Sequence, residues 1–114
     1  MKVYTWKEVM EITENAGGKL YCLPFGGNNE DKFKLKTINL NEINRDYYLS
    51  VEECEEEDLD EDLSVITYLI NSYNDGCKIP PIVLNSDLTI IDGSHRMGAL
   101  LYLGRTSIEV FVKL

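Results

Sequence analysis

The sequence predicts a small domain of the α/β (α+β) class, with a mixed sheet of about five strands and about three helices. Short apolar segments, several of them alternating with polar residues, are typical of strands. Between them lie longer segments in which apolar residues recur every three or four positions, as in amphipathic helices. The 114 residues suffice for one compact hydrophobic core, so we expect a single domain over residues 1–114.

In the first half of the chain, local signals define the expected elements. Thr5 and Glu8 have the spacing of a capping box, which predicts that a helix begins after Thr5. Gly17-Gly18 predicts the end of that helix, because glycine accepts the left-handed conformation there. The elements expected next are a short strand at residues 20–25, a turn at residues 26–29 and a strand at residues 33–40.

The second half has the clearer pattern. Apolar residues on one helical face predict a helix at residues 63–73, which ends near Gly76. Pro80-Pro81 then leads into a short apolar strand at residues 82–84. The remaining expected elements are a second strand at residues 88–91 that completes a hairpin, a helix at residues 95–103 closed by Gly104, and a final strand at residues 108–112.

Charge is unevenly distributed. The net charge is −9, and residues 52–62, the acidic segment, hold 9 of the 20 acidic residues and no basic one. The rest of the chain has 11 acidic and 11 basic residues, so direct DNA binding is not expected. Three interpretations of the acidic segment stay open: a solvated loop leading into a helix, a source of carboxylates for Mg²⁺ or for a catalytic base, and a DNA-like surface that occupies a protein partner.

Other classes of protein are disfavoured by composition. The longest apolar segments fall well short of the ~20 residues of a membrane span, and the N-terminus lacks the features of a signal peptide. We therefore expect a cytoplasmic protein without membrane contact. Three cysteines without a CxxC pair argue against a disulfide framework or a zinc knuckle.

The strongest functional pattern is Asp92-Gly93-Ser94-His95-Arg96, where the predicted strand gives way to the predicted helix. The first turn of a helix offers unpaired N–H groups and a positive dipole end, which favour anions. Gly93 permits a sharp turn and close approach of a ligand, and Ser94 can cap the helix or donate to a phosphate oxygen. Arg96 suits phosphate, and His95 can donate to phosphate or move a proton.

Asp92 allows three interpretations, because a carboxylate beside an anion site repels the anion. It can hold a metal ion, accept a proton from a hydroxyl group, or pair with Arg96. The alternative is purely structural: Asp-Gly turns and serine-capped helices are common without any ligand.

Residues 80–114, from Pro80-Pro81-Ile82-Val83 through the Asp-Gly-Ser-His-Arg motif to the final strand, resemble the ParB N-terminal domain and sulfiredoxin superfamily. The resemblance extends more weakly over residues 36–114. It implies a ParB/sulfiredoxin-like fold that binds a nucleotide (ATP, ADP or CTP) with Mg²⁺. By position, His95 and Arg96 would contact phosphates, and Asp92 resembles the acidic residue of ADP-dependent free serine kinases of this fold.

Departures from the superfamily's sequence pattern narrow the set of expected activities. Ser94 stands where sulfiredoxins have cysteine, which disfavours that reaction. The segments of a full partition protein, a helix-turn-helix and a dimerisation domain, are not expected. The leading hypothesis is phosphoryl transfer or nucleotide hydrolysis, with Asp92 and His95 catalytic, phosphate held by residues 93–96, and Asp92 a metal ligand. The alternatives are a non-catalytic, acidic inhibitor of phage or plasmid type that acts through residues 52–62, and, with less support, a ParB-like nuclease.

Overall fold

A computed structural model describes residues 2–15, 30–44 and 50–114. The strand predicted at residues 20–25, the turn at 26–29 and the helix end at Gly17-Gly18 lie outside these residues. The described elements are β1 (Val3–Thr5), α1 (Trp6–Asn15), β2 (Lys32–Asn39), a 3₁₀ turn (Leu40–Glu42), α2 (Val51–Glu56), α3 (Asp60–Asn74), β3 (Ile82–Leu84), β4 (Ile90–Asp92), α4 (Ser94–Tyr102) and β5 (Ser107–Lys113).

The five described strands form one mixed sheet in the order β1-β2-β5-β3-β4. The central strand β5 pairs antiparallel with β2, from Phe33 opposite Lys113 to Asn39 opposite Ser107. It runs parallel to β3, and β3 and β4 form an antiparallel hairpin with a register shift. The predicted mixed sheet and the predicted hairpin are confirmed. Strands β2, β3, β4 and β5 correspond to predicted strands, whereas β1 was not predicted.

Both faces of the sheet are covered, which explains why β5 has buried apolar residues on both of its faces, namely Ile108, Val110, Phe111 and Val112. On one face Ile108 and Val110 pack with Met97 and Leu100 of α4. On the other face Phe111 packs with neighbours that include Val9 of α1. The sheet therefore forms the middle layer of the described structure, with α1 on one side and α4 on the other.

Helices α3 and α4 pack side by side and run in the same direction. Ile66 and Ile70 of α3 contact Ala99 of α4 in a second apolar cluster. At their N-terminal ends, His95 of α4 contacts Asp62 of α3. At their C-terminal ends, Arg105, which follows α4, donates a hydrogen bond to Tyr73 of α3. Both N-termini consequently lie at the same end of the molecule.

Most predicted boundaries hold to within a few residues. The capping box is confirmed, since Thr5 N donates to Glu8 Oε1 at 3.0 Å and Glu8 N donates to Thr5 Oγ1 at 3.2 Å. The hairpin strand predicted at residues 88–91 begins later, at Ile90. The reason is that Leu88 has φ +67° and belongs to the turn.

The acidic segment is helical, so the described chain contains four α-helices where about three were predicted. Ser50 caps α2 by accepting a hydrogen bond from Glu53 N at 3.0 Å. Cys54 is buried and anchors α2 against α3 and α4, and the first turn of α3 is acidic. The interpretation as a loop is therefore wrong for residues 51–56, whereas residues 57–58 form a turn and the acidic side chains at the N-terminus of α3 suit the helix dipole, as that interpretation held.

Candidate functional site

The strand-to-helix junction lies where the sequence placed it. Strand β4 ends at Asp92, Gly93 is the N-cap with φ +120°, and α4 begins at Ser94. A Cβ atom at Gly93 would lie 3.2 Å from both Cγ1 and Cγ2 of Ile82. Only glycine fits this backbone and this contact without strain. Ser94 is the first helical residue and does not cap the helix, so that part of the prediction is wrong.

The first turn of α4 contains backbone hydrogen-bond donors that have no partner among the described residues. Met97 N donates to Gly93 O at 2.8 Å, which closes the first helical turn. The N–H groups of Ser94, His95 and Arg96 precede that bond and have no acceptor among residues 2–15, 30–44 and 50–114. Such groups, at the positive end of the helix dipole, bind an oxygen anion favourably.

Arg96 is turned into the protein. Its Nη2 donates to Asp92 Oδ2 at 2.8 Å and its Nη1 donates to Pro81 O. The residue is 8% exposed. Burial lowers the pKa of the guanidinium, and the nearby charge of Asp92 opposes that effect. The arginine therefore links the end of β4, the first turn of α4 and the segment that leads into β3.

Of the three interpretations of Asp92, the structure shows the pairing with Arg96, and the roles as metal ligand and proton acceptor stay predictions. A carboxylate neutralised in this way repels a neighbouring anion less than a free one does. Direct contact between Arg96 and a phosphate would require this buried guanidinium to become accessible, since it is 8% exposed and directed at Asp92 and Pro81. Whether Asp92 and Arg96 take part in catalysis or phosphate binding stays a prediction.

His95 contacts the acidic segment. Its Nε2 lies 2.7 Å from Asp62 Oδ1, and the two side chains are 27% and 35% exposed. One acid of residues 52–62 does face the junction, as one of the sequence interpretations held. The others are exposed to solvent: Glu52, Glu53, Glu55, Glu56, Glu57, Asp58, Asp60 and Glu61.

Sequence reasoning missed two participants, the carbonyl group of Pro81 and Asp62 as an individual residue. Pro81 is 15 positions from its partner Arg96, and Asp62 is 33 positions from His95. No local pattern connects residues so far apart. The pairing of Asp92 with Arg96 had a usable signal, namely the i,i+4 spacing of opposite charges.

The donors around Asp92 do not fit a magnesium site held by the protein. Within the described part of the chain, no three His, Cys, Asp or Glu side chains converge as metal ligands. Asp92 already accepts from Arg96, and hard cations require several oxygen ligands. The prediction of Mg²⁺ at Asp92 is untested, and no step proposed below runs through a metal.

Comparison with known proteins identifies the fold. The sequence matches no protein-family profile and no curated protein. The structure resembles a solved Pnob8-like ParB-N domain, with a TM-score of 0.54 and 15% sequence identity. The match covers 75% of this chain and 31% of that chain. The protein thus has a mixed α+β, ParB-N-like fold, as the sequence resemblance predicted.

The same comparison leaves activity open, since at this level of identity a likeness establishes the fold alone. Among the described helices, none is long and apolar enough to cross a membrane.

Proposed function

We propose that this chain binds a nucleotide through its phosphate groups at the N-terminus of α4. The observation that carries the proposal is the junction at Gly93, which leaves the N–H groups of Ser94 and His95 without described acceptors at a helix N-terminus. The ParB-N-like fold supports it further, because nucleotide binding is what the resemblance in sequence implies.

The roles within the site follow from the contacts. The backbone of residues 94–96 and the hydroxyl group of Ser94 donate to phosphate oxygens. Arg96 is a positioning residue, which neutralises Asp92 and fixes the first turn of α4. This assignment differs from the one carried over by position, in which the Arg96 side chain contacts phosphate itself.

His95 is the proposed acid–base group. Donation from His95 Nε2 to Asp62 leaves Nδ1 as an acceptor, since a neutral imidazole has one donor and one acceptor nitrogen. In phosphoryl transfer, Nδ1 takes the proton of the attacking water or hydroxyl group as its oxygen bonds to the terminal phosphorus. The bond from phosphorus to the nucleotide oxygen breaks, and that oxygen keeps the electron pair.

A thermal-shift screen tests the binding proposal. ATP, ADP, CTP and GTP are added to the full chain, each with and without MgCl₂. A nucleotide present at about 100 times its dissociation constant adds roughly 2.7 kcal/mol of stability, which raises the Tm by roughly 10 °C. Ser94→Ala, which removes the hydroxyl donor to phosphate, reduces that shift, whereas Lys7→Gln, which removes an exposed cation from α1, does not. No shift with any nucleotide contradicts the proposal.

A second candidate function is a non-catalytic inhibitor that occupies a DNA-binding partner. The observation in its favour is that eight of the nine acids of residues 52–62 are exposed on α2, the following turn and the first turn of α3. Its test is the combined variant Glu55→Gln, Glu56→Gln, Glu57→Gln, Asp58→Asn. If this candidate is correct, the wild type binds a protein partner that duplex DNA displaces. The variant then no longer binds that partner, while its nucleotide binding is unchanged.

A further inference from the structure

The end of the α3–α4 pair opposite to the candidate site contains an open cavity of about 350 Å³. Its floor is apolar and consists of Ile79, Pro80, Leu100 and Ile108. Leu100 and Ile108 are only 6% and 5% exposed, so this floor is part of the packed core. A cavity of this size with an apolar floor is typical of small-molecule sites.

Two cations and one anion lie around the cavity: Lys78, Arg105 and Glu109. Neither Lys78 nor Arg105 forms a salt bridge with a carboxylate in the described residues. The rim therefore has an excess of one positive charge over an apolar floor. This combination is complementary to a small anion that also has an apolar body.

The backbone holds Arg105 in place. Helix α4 ends in a Schellman motif, in which Gly104 N donates to Leu101 O at 3.1 Å and Arg105 N donates to Leu100 O at 3.1 Å. Gly104 has the positive φ of +70° that the motif requires. Arg105 consequently starts from a fixed position at the edge of the cavity.

The Arg105 side chain is also oriented before any ligand arrives. Its Nη1 donates to Tyr73 Oη at 3.0 Å, its Nη2 lies 3.5 Å from Ser107 O, and its Cζ lies 5.8 Å from the centre of the Tyr73 ring. A guanidinium group has five N–H donors, so several stay available for a carboxylate. A preorganised arginine loses less conformational freedom on binding than a mobile one does.

We propose that this cavity is a second binding site, which takes a small organic carboxylate with an apolar body. The carboxylate contacts Arg105 and Lys78, and the apolar body lies on Ile79 and Leu100. The site is separate from the nucleotide site, and neither proposal depends on the other.

NMR titration of the ¹⁵N-labelled full chain tests this proposal, with benzoate as the probe and benzamide as its neutral counterpart. Benzoate is expected to shift the amide signals of Arg105 and Ser107 in a saturable way and to bind at least about tenfold more tightly than benzamide. Equal affinity for the two probes, or benzoate shifts confined to Ser94 and His95, overturns the proposal.

Two variants distinguish the contribution of the positive charges to binding from that of the apolar floor of the cavity. Arg105→Gln is expected to weaken benzoate binding at least about tenfold and to leave benzamide binding almost unchanged, which also shows that the variant is folded. Lys78→Gln weakens benzoate binding as well, and it removes a side chain that has no described hydrogen bond. Lys7→Gln, on α1, is the matched control and has no effect. Wild-type affinity for benzoate in both Arg105→Gln and Lys78→Gln contradicts the proposal.

Discussion

Arg96 Nη2 lies 2.8 Å from Asp92 Oδ2, and this contact joins the last residue of a strand to the first turn of the helix that follows. Both side chains are largely buried, at 10% and 17% exposure. The same guanidinium also donates to Pro81 O, which ties in the segment before β3. Asp92 and Arg96, two charged residues that the sequence assigned to the candidate site, thus stabilise the junction itself.

Asp92→Asn tests this structural role. The variant keeps the shape of the side chain but leaves the buried guanidinium without its opposite charge. We expect the free energy of unfolding, measured with urea, to fall by about 3 kcal/mol. Lys7→Gln is the control and should change it by less than about 0.5 kcal/mol. A loss below about 1 kcal/mol in Asp92→Asn means that the ion pair contributes little to the fold.

The close packing at Gly93 predicts a large effect of a single methyl group. Gly93→Ala forces an alanine to φ +120° and places its Cβ 3.2 Å from two carbons of Ile82. We expect a loss of about 2–4 kcal/mol in the free energy of unfolding, from backbone strain and overpacking together.

Gly76→Ala separates the two causes of that loss. Gly76 has φ +96°, but a Cβ atom there has no neighbour within 4 Å. This control should lose only the backbone contribution, about 1 kcal/mol. Equal losses in Gly76→Ala and Gly93→Ala would mean that the contact of the added methyl group with Ile82 does not lower the free energy of unfolding.

The capping box of α1 predicts a pH dependence. The hydrogen bond from Thr5 N to the carboxylate lowers the pKa of Glu8 below its ordinary value of 4.5, and the Thr5 side chain adds to this. Because the folded-state pKa is depressed, the stabilisation is present above pH 4.5 and is lost as the pH falls through the folded-state pKa. Glu8→Gln should therefore be less stable than the wild type at pH 7, and urea titrations should show the difference shrinking towards pH 3. A difference that stays constant over that range contradicts this account.

The two described cysteines should differ in reactivity. Burial raises the pKa of the Cys54 thiol, and the charges of Asp62, Glu53 and Glu57 raise it further. Cys54 is also 1% exposed, whereas Cys77 lies on the surface. Iodoacetamide at pH 8 should label Cys77 at least about a hundredfold faster than Cys54, until urea unfolds the chain. Peptide mass spectrometry measures both rates, and comparable labelling of Cys54 in the native protein would contradict the prediction.

Local signals were enough to predict much of the fold. The capping box at Thr5 and Glu8 acts within four residues, so the start of α1 could be predicted correctly. Helix α2 was missed because it contains six residues, of which four are glutamate, and it is stable in this context because Cys54 packs against α3 and α4. Strand β1 was also missed, because it has only three residues and depends on its pairing with β2, which no local sequence pattern indicates.

In the candidate site, too, features defined by local sequence were predictable and contacts between distant residues were not. Gly93 between an apolar strand and a helix is a local pattern, and the junction was predicted to within one residue. The partner of His95 was not predictable as a single residue, because Asp62 reaches it only through the packing of α3 against α4. The inward orientation of Arg96 likewise depends on Pro81, which the hairpin brings beside it.

The most direct test of the central claim is an NMR titration of the ¹⁵N-labelled chain with whichever of ATP, ADP, CTP and GTP raises its Tm. The account predicts that the largest amide shifts fall on Ser94, His95 and Arg96, with a smaller shift at Asp62. Ser94→Ala is expected to weaken binding, whereas Lys7→Gln is not. Shifts confined to Arg105 and Ser107, or no shift with any nucleotide, would contradict a phosphate site at the N-terminus of α4.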